Sequence, residues 1–120
     1  MCVIVGVDDS KHGRHALEET IERGREAGDD VTVAIYTDDD GSLDELEASV
    51  RDRLETDGFE ATVERITGEP GSRLLELSED GEYDRIVLPG GHRSPLGKIQ
   101  LDSTLEFILL NARTTVTLVR

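Results

Sequence analysis

Five short runs of apolar and β-branched residues divide the chain, and a segment with helical periodicity follows each of the first four. The first run, CVIVGV at 2–7, is apolar throughout, which is typical of a strand covered on both faces. The others lie within 31–37, 59–66, 85–91 and 114–120. Because consecutive parallel strands need a crossover that a helix can supply, this alternation predicts an α/β fold with a five-stranded parallel sheet and helices on both faces.

Four helices are expected between the strands, and residues that favour helix ends mark their limits. Serine and aspartate are favoured just before a helix, proline in its first turn and glycine just after it. The first helix is expected to follow Asp9 and Ser10 and to end near Ala27, and the second to follow Ser42 and to end at Gly58. The third should begin at Pro70 and Ser72, and the fourth should run from Ser103 to about Asn111. A chain of 120 residues is long enough for one core, so we expect a single domain over 1–120.

Polar loops follow the first and the fourth strand. They read VDDSKHG at 7–13 and PGGHRSPLGK at 89–98. In open α/β sheets, ligands bind beyond the carboxyl ends of the strands, at the point where the strand order reverses. If the strand order is 3-2-1-4-5, the first and fourth strands are neighbours and both loops flank that point. We therefore expect the ligand site between these two loops.

The second of these loops is free of carboxylates in a strongly acidic chain. The chain has 27 Asp and Glu against 13 Lys and Arg, a net charge of −14, yet residues 85–101 include no acidic side chain. Such a run favours a binding site for an anion. The alternative is that the glycines only form a tight turn and that the basic residues offset the surrounding acid.

The residue types in and after this loop suit phosphate. Glycine lets backbone N–H groups approach an anion, arginine can bind two phosphate oxygens, and the start of a helix offers unpaired N–H groups. The candidate residues are Gly90, Gly91, His92, Arg93, Ser94, Gly97, Lys98, Ser103 and Thr104. After the first strand, Asp8 and Asp9 either bind a divalent ion beside the phosphates or cap the first helix, as Ser10 also can.

Charge and cysteine content argue against some partners and favour one compartment. A net charge of −14 repels nucleic acid and anionic membranes. Only two of the basic residues are lysines, and abundant acid with little lysine resembles proteins of salt-loving cells. Cys2 is the sole cysteine, so no disulfide can form within the chain, and the apolar runs are too short for a signal peptide or a membrane span. We expect a cytoplasmic protein.

Four segments carry a resemblance to a known family: VDDS at 7–10, GEP at 68–70, YDRIVL at 83–88 and GGHRSPLGKIQLDST at 90–104. With them, the chain resembles a single-domain universal stress protein over residues 2–120. The resemblance implies that the phosphates of ATP or AMP are cradled by Gly90, Gly91, Gly97, Ser103 and Thr104. It also implies that Asp8 lies near the nucleoside and that Tyr36 contacts adenine through its main chain.

Asp102 stands where the family's loop has a glycine before the serine. A carboxylate at this position can cap the fourth helix. It also brings negative charge towards the phosphates, and Mg²⁺ or Mn²⁺ between the two would turn this repulsion into attraction. We therefore expect Asp102 to contact a metal ion bound to the nucleotide.

The apolar sequence of the last strand, 114–120, favours association with another chain. An apolar strand at a sheet edge exposes unpaired backbone groups that a second strand can cover. The resemblance implies that the same strand of a second copy covers it, which gives a two-fold homodimer. The expected contacts are Val116 and Leu118 or Val119. A further protein partner is expected, but the sequence does not identify it.

The function that these expectations favour is binding of an adenine nucleotide in a stress response or in signalling, with little turnover. His92 could act as an acid or base, but no nucleophile and no Ser-His-Asp set accompanies it. One alternative is a dimeric interaction module of the same fold that binds no nucleotide. The other is a slow enzyme that hydrolyses ATP or transfers a nucleotide.

Overall fold

The computed structural model describes residues 1–37, 43–90, 92–93, 99–100 and 103–119. Strands and helices alternate along this chain as the hydrophobic pattern predicts. In chain order they are β1 (Cys2–Val7), α1 (Lys11–Ala27), β2 (Asp30–Ile35), α2 (Leu43–Asp57), β3 (Thr62–Arg65), α3 (Pro70–Asp80), β4 (Arg85–Pro89), β5 (His92–Arg93), β6 (Ile99–Gln100), α4 (Ser103–Asn111) and β7 (Thr115–Val119).

Five of the strands form a parallel sheet in the order β3-β2-β1-β4-β7. This is the predicted order 3-2-1-4-5, with β7 as the fifth strand, so the expected fold is confirmed. The sequence pattern did not predict the short antiparallel hairpin of β5 and β6, in which His92 pairs with Gln100 and Arg93 with Ile99. This hairpin lies within the segment that connects β4 to α4.

The strand expected over 59–66 is shorter than its sequence pattern, because its first residue belongs to the end of α2. Gly58 has a φ of 62°, which is the left-handed conformation that ends many helices. The N–H of Phe59 then donates to the carbonyl of Leu54 at 3.0 Å. This bond ties Phe59 to the helix end, and the strand begins at Thr62.

The sheet is covered by two helices on each face. On one face, α1 and α2 bury Leu17, Ile21, Leu46 and other apolar residues against the sheet, where Val5 is fully buried. On the other face, α3 and α4 do the same with a second apolar cluster: Ile4, Ala34, Tyr36, Ile66, Leu74, Leu75, Ile86, Leu88, Leu105 and Ile108. Because alternate residues of a strand point to opposite faces, β1 contributes to both clusters.

Ion pairs fasten the outer strand β3 to α2. The guanidinium of Arg65 donates from Nε to Glu47 Oε1 at 2.6 Å and from Nη2 to Asp44. Arg51, one turn along α2, donates to the other oxygen of Glu47 at 3.0 Å. Hydrogen bonds from Arg65 and Arg51 hold the pKa of the Glu47 carboxyl below its usual value. These pairs are exposed, so salt screens them and each adds little to stability.

None of the helices in the described ranges is long and apolar enough to cross a membrane. The longest, α1, has 17 residues, and charged side chains cover its outer face. Its buried residues instead form a stripe towards the sheet, which is the pattern of a surface helix.

The first turn of α1 packs directly on the end of β1, and only glycine fits there. A Cβ on Gly13 would lie 2.5 Å from Oδ1, 2.6 Å from the carbonyl oxygen and 2.9 Å from the backbone nitrogen of Asp8. Two of these atoms belong to the main chain, so a rotamer change cannot remove the clash. The missing side chain at Gly13 therefore sets how closely α1 approaches the sheet.

We predict that Gly13→Ala destabilises the protein by about 1–3 kcal/mol, because the added methyl must push the helix start away from β1. The matched control is Gly24→Ala in the same helix, where the nearest atom to a new Cβ is the ring edge of Phe59 at 2.9 Å. That ring can shift, and alanine gains about 1 kcal/mol of helix propensity. Urea unfolding of both variants gives the comparison; an equal or smaller loss for Gly13→Ala would contradict the close packing.

Candidate functional site

The carboxyl ends of the parallel strands meet at one edge of the sheet, and the loops predicted to bind a ligand start there. In the register of the sheet, Val7 pairs with Ile35, and Val5 pairs with Val87. The segments that begin at Asp8, Tyr36 and Gly90 therefore leave three neighbouring strands on the same side. The chain runs from β1 outwards to β2 and β3 and then returns to β4, so the strand order reverses between β1 and β4, as predicted.

Asp8 is held by the start of α1. The hydroxyl of Ser10 donates to Asp8 Oδ1 at 2.5 Å, and the N–H of Ser10 donates to the same oxygen at 3.1 Å. The hydroxyl oxygen of Ser10 in turn accepts the N–H of Gly13 at 3.1 Å. Ser10 is thus the N-cap of α1, and its cap hydrogen bond also orients the carboxylate of Asp8.

This arrangement bears on one of the two roles that the sequence left open for the aspartates, capping of α1, while binding of a divalent ion stays a prediction. Neither Asp8 nor Asp9 supplies the cap oxygen of α1, because Ser10 does. Asp8 is half-buried and bonded, whereas the side chain of Asp9 is exposed to solvent. Gly13 was not among the candidate residues predicted from the sequence, although a glycine three residues after the cap is a signal for close approach of a helix to a strand.

Tyr36 directly follows β2 and is anchored by both its main chain and its side chain. Its N–H donates to the carbonyl of Val7 at 3.1 Å, which continues the β1–β2 ladder. Its ring is buried in the cluster below α3 and α4, and a Cβ on Gly6 would lie 3.4 Å from its Cε1. The N–H of Tyr36 is therefore used by the sheet, and the contact of its main chain with adenine stays a prediction.

Gly90 also belongs to the sheet. It is buried, and its N–H donates to the carbonyl of Val119 at 2.6 Å, which extends the pairing of β4 with β7. The amide of this first loop glycine is thus used by the fold. Downstream of Gly90, the hairpin of β5 and β6 brings His92 opposite Gln100, so the two sides of the loop run back along each other.

Ser103 and Thr104 are the first two residues of α4. This helix leads from the carboxyl end of β4 to the amino end of β7, so its first turn lies at the same edge of the sheet as Asp8. Leu105 and Ile108 are buried and fix the helix on the sheet, while Ser103 is exposed and Thr104 is partly exposed. The position of the first turn of α4 agrees with the prediction that the start of this helix borders the site.

The other predicted site residues lie outside what the structure describes. These are Gly91, Ser94, Gly97, Lys98 and Asp102, together with the side chains of His92 and Arg93. The structure thus brings Asp8, Ser10, Tyr36, Gly90 and Ser103 to one edge. The arrangement can present to a ligand the Asp8 carboxylate after β1 and the hydroxyls at the start of α4. The positions of the Arg93 and Lys98 side chains stay predictions.

The described ranges contain no group of three or more His, Cys, Asp or Glu side chains that could hold a metal ion. Asp8 and Asp9 supply two carboxylates at most, and Asp8 is already bonded to Ser10. Oxygen-rich sites for Mg²⁺ commonly complete their coordination with phosphates and water. The residues present therefore fit a metal only as a companion of a phosphate ligand.

Comparison with solved structures shows the same fold in several proteins. A universal stress protein from Archaeoglobus fulgidus is 20% identical, covers 100% of this chain and 98% of its own length, and superposes with a TM-score of 0.80. A universal stress protein from Archaeoglobus fulgidus in complex with dAMP is 18% identical, with coverage of 100% and 98% and a TM-score of 0.76. A family member from Arabidopsis thaliana with AMP bound is 16% identical, with coverage of 99% and 90% and a TM-score of 0.66.

Sequence comparison leads to one family. No curated protein matches the chain. The model of the universal stress protein family matches residues 2–120, which is almost the whole sequence. The predicted sheet order and the loops at its switch point agree with this match. The chain belongs to the universal stress protein family.

Proposed function

We propose that the protein binds an adenine nucleotide, AMP or ATP, at the carboxyl edge of the sheet between β1 and β4. The observation that carries this proposal is the topology: the sheet brings the fixed carboxylate of Asp8 and the start of the acid-free loop 90–101 to the same switch point. The family match supports it, as do the relatives with dAMP and AMP bound.

The two ends of the nucleotide have different candidate partners. Both described hydrogen bonds to Asp8 reach Oδ1, which leaves Oδ2 to accept a ribose hydroxyl. On the phosphate side, Arg93 can bind two oxygens and Lys98 adds a point charge. The phosphate site would also be lined by other residues of this loop: Gly91, His92, Ser94 and Gly97. The start of α4 would offer the hydroxyls and N–H groups of Ser103 and Thr104.

We propose that the protein acts through binding, in a stress response or in signalling, with little turnover. A slow hydrolase would need a group that activates water beside the phosphates, and His92 is the one candidate that the loop sequence offers. A dimeric module that binds no nucleotide is the second candidate, since Gly90 has its amide committed to the sheet. The acid-free loop favours the binding protein, because such a module has no need to keep Arg93 and Lys98 clear of carboxylates.

We predict that AMP or ATP stabilises the wild-type protein against heat. A ligand at 100 times its dissociation constant adds about 2.7 kcal/mol, which is a rise of several degrees in Tm for a domain of this size. The double variant Arg93→Ala, Lys98→Ala should lose most of that rise. The matched control is Arg73→Ala, Arg113→Ala, which removes the same charge from two exposed sites outside the acid-free loop.

Thermal unfolding with each nucleotide at constant ionic strength makes this measurement. The control variant should keep the full shift in Tm, which separates loop contacts from a general effect of net charge. A wild-type protein that shows no shift with AMP or ATP, with or without Mg²⁺, would reject nucleotide binding and leave the interaction module.

Asp102 makes the proposed binding of ATP depend on a divalent cation. We predict that ATP binds the wild-type protein much more tightly with Mg²⁺ or Mn²⁺ than with EDTA, because the cation lies between the Asp102 carboxylate and the phosphates. Asp102→Gly should raise the affinity without metal and reduce the metal dependence. Calorimetric titration of both proteins under both conditions decides this; an equal metal dependence would mean that Asp102 only caps α4.

We also propose that the protein is a homodimer formed through β7. This strand is the outer strand of the sheet beside β4. The carbonyl of Val119 faces β4, since it accepts the N–H of Gly90. Backbone groups alternate in direction along a strand, so those of Val116 and Leu118 point to the open edge. Residues 107–120 include no acidic side chain, which lowers the repulsion between two copies of a chain with net charge −14.

We predict that Leu118→Pro yields a monomer, because proline removes an N–H that points to the open edge while sparing the ladder with β4. Leu118→Ala is the matched control, since it removes the same packing against the α3 and α4 cluster and keeps the N–H. Light scattering at micromolar concentration in molar salt should find the wild type and Leu118→Ala dimeric. A monomeric wild type would refute the dimer, and a dimeric Leu118→Pro would place its interface elsewhere.

A further inference from the structure

We propose that a cavity between α1 and the strands β1, β4 and β7 binds a small organic carboxylate, with Arg85 as the residue that recognises it. The cavity has a volume of about 340 Å³. Apolar side chains of the sheet, including Val3, Val87 and Val119, form its floor, and polar side chains of α1 form its opposite wall. The proposal is independent of nucleotide binding.

Arg85 is an unusual residue at its position in the sheet. In the register it pairs with Val3 on β1 and Thr115 on β7, and Val3 packs in the cluster below α1. Arg85 therefore points to the face covered by α1 and α2, where its neighbours Val3 on β1 and Val87 on its own strand are apolar and buried. Charged side chains on such a face normally have a partner, because moving an ion out of water is unfavourable.

No partner of Arg85 is present in the part of the chain that the structure describes. Its Nε is buried and has no hydrogen-bond acceptor. The ion pairs of the described residues join other arginines to Glu18, Asp44, Glu47, Asp57 and Glu76 and leave Arg85 out. A buried N–H without an acceptor destabilises the folded protein. An oxyanion in the cavity would supply the missing acceptor and could use the guanidinium as a two-pronged donor.

The charges that line the cavity suit a ligand with one negative charge. Arg23 and Arg85 are positive, and Glu19 and Asp29 are negative. Asp29 already has a counter-charge, since its Oδ1 lies 3.7 Å from the N-terminal ammonium. One positive charge of the lining is thus left over, in a chain whose net charge is −14. The apolar floor favours a carboxylate on a short hydrocarbon body over inorganic phosphate, which has no apolar surface to bury.

The cavity is separate from the proposed nucleotide site. Among the candidate nucleotide-binding residues that the structure describes, namely Asp8, Asp9, Ser10, Tyr36, Gly90, Ser103 and Thr104, none lines it. Arg85 and the candidate residue Gly90 are five residues apart along the chain of β4, which is about 16 Å at the rise of a β-strand. The two sites come closest at Val119, which lines the cavity and accepts the N–H of Gly90. The two sites can therefore be tested one at a time.

The test is a titration of isotope-labelled protein with sodium butyrate at constant ionic strength, followed by NMR at the Nε–H group of Arg85. We expect a saturable shift of this resonance and of the amides of Thr20 and Thr117, which line the cavity. Butyramide has the same shape without the charge and should bind at least about tenfold more weakly, which is roughly 1.4 kcal/mol. Sodium phosphate should produce a smaller response than butyrate.

Two variants at Arg85 and one control complete the experiment. Arg85→Met removes the guanidinium and keeps most of its volume, and Arg85→Lys keeps the charge without the fork. Both should lose the butyrate response at Thr20 and Thr117, and either one that stays folded is sufficient. Arg113→Met, at an exposed site, should keep the response.

Four results would overturn the proposal. The first is a wild-type protein without a saturable shift, and the second is an equal response in the Arg85 variants. The third is a resonance of the Arg85 Nε–H group that moves in Glu19→Gln but not with butyrate, because Arg85 would then be the partner of Glu19. A response to phosphate alone would also reject the carboxylate.

Discussion

The burial of β1 between two layers of helices is the constraint on which the rest of the structure depends. Ile4 and Val5 are fully buried on opposite faces of the sheet, one below α3 and α4 and the other below α1 and α2. Burial of each such side chain stabilises the fold by about 1.5–3 kcal/mol. Since β1 pairs with both β2 and β4, it joins the two halves of the sheet as well as the two helix layers.

The same central strand positions the candidate nucleotide site. It ends at Val7, so Asp8 follows it between the ends of β2 and β4. The contact of Gly13 with Asp8 fixes the distance of α1 from that end. Ser10 links the two through its hydroxyl. The placement of the carboxylate thus follows from packing and capping, and it is present before any ligand binds. Such a fixed group needs little reordering on binding, which favours affinity.

The distribution of acid gives the surface its functional pattern. Carboxylates are spread over the helices, whereas the two longest acid-free segments are 85–101 and 107–120. We propose phosphate binding for the first and pairing with a second copy for the second. Strand β7 lies within the second segment, and it contacts the first because Val119 accepts the N–H of Gly90. Val119 also lines the Arg85 cavity. The three proposals therefore meet at one outer strand, and changes in β7 are the ones most able to affect more than one of them.

Local patterns in the sequence by themselves determined the order of the elements, the limits of α1 and α4, and the loops that meet at the switch point. Helix caps, the 3.6-residue period and β-branched runs act between residues close in the chain, so they can be read without the fold. The family resemblance, confirmed over 2–120, also came from short segments of sequence. The roles of the site residues remain predictions, with Asp8 and Ser103 now placed at one edge.

Only the tertiary structure decided the features that depend on contacts between distant segments. It committed the N–H groups of Tyr36 and Gly90 to the sheet, and it placed Arg85 below α1 without a partner among the described residues. Each of these depends on which strand lies next to which, and a sequence pattern carries no information about an acceptor that is 30 residues away. Nonlocal packing and hydrogen bonding therefore settled what the local pattern left open.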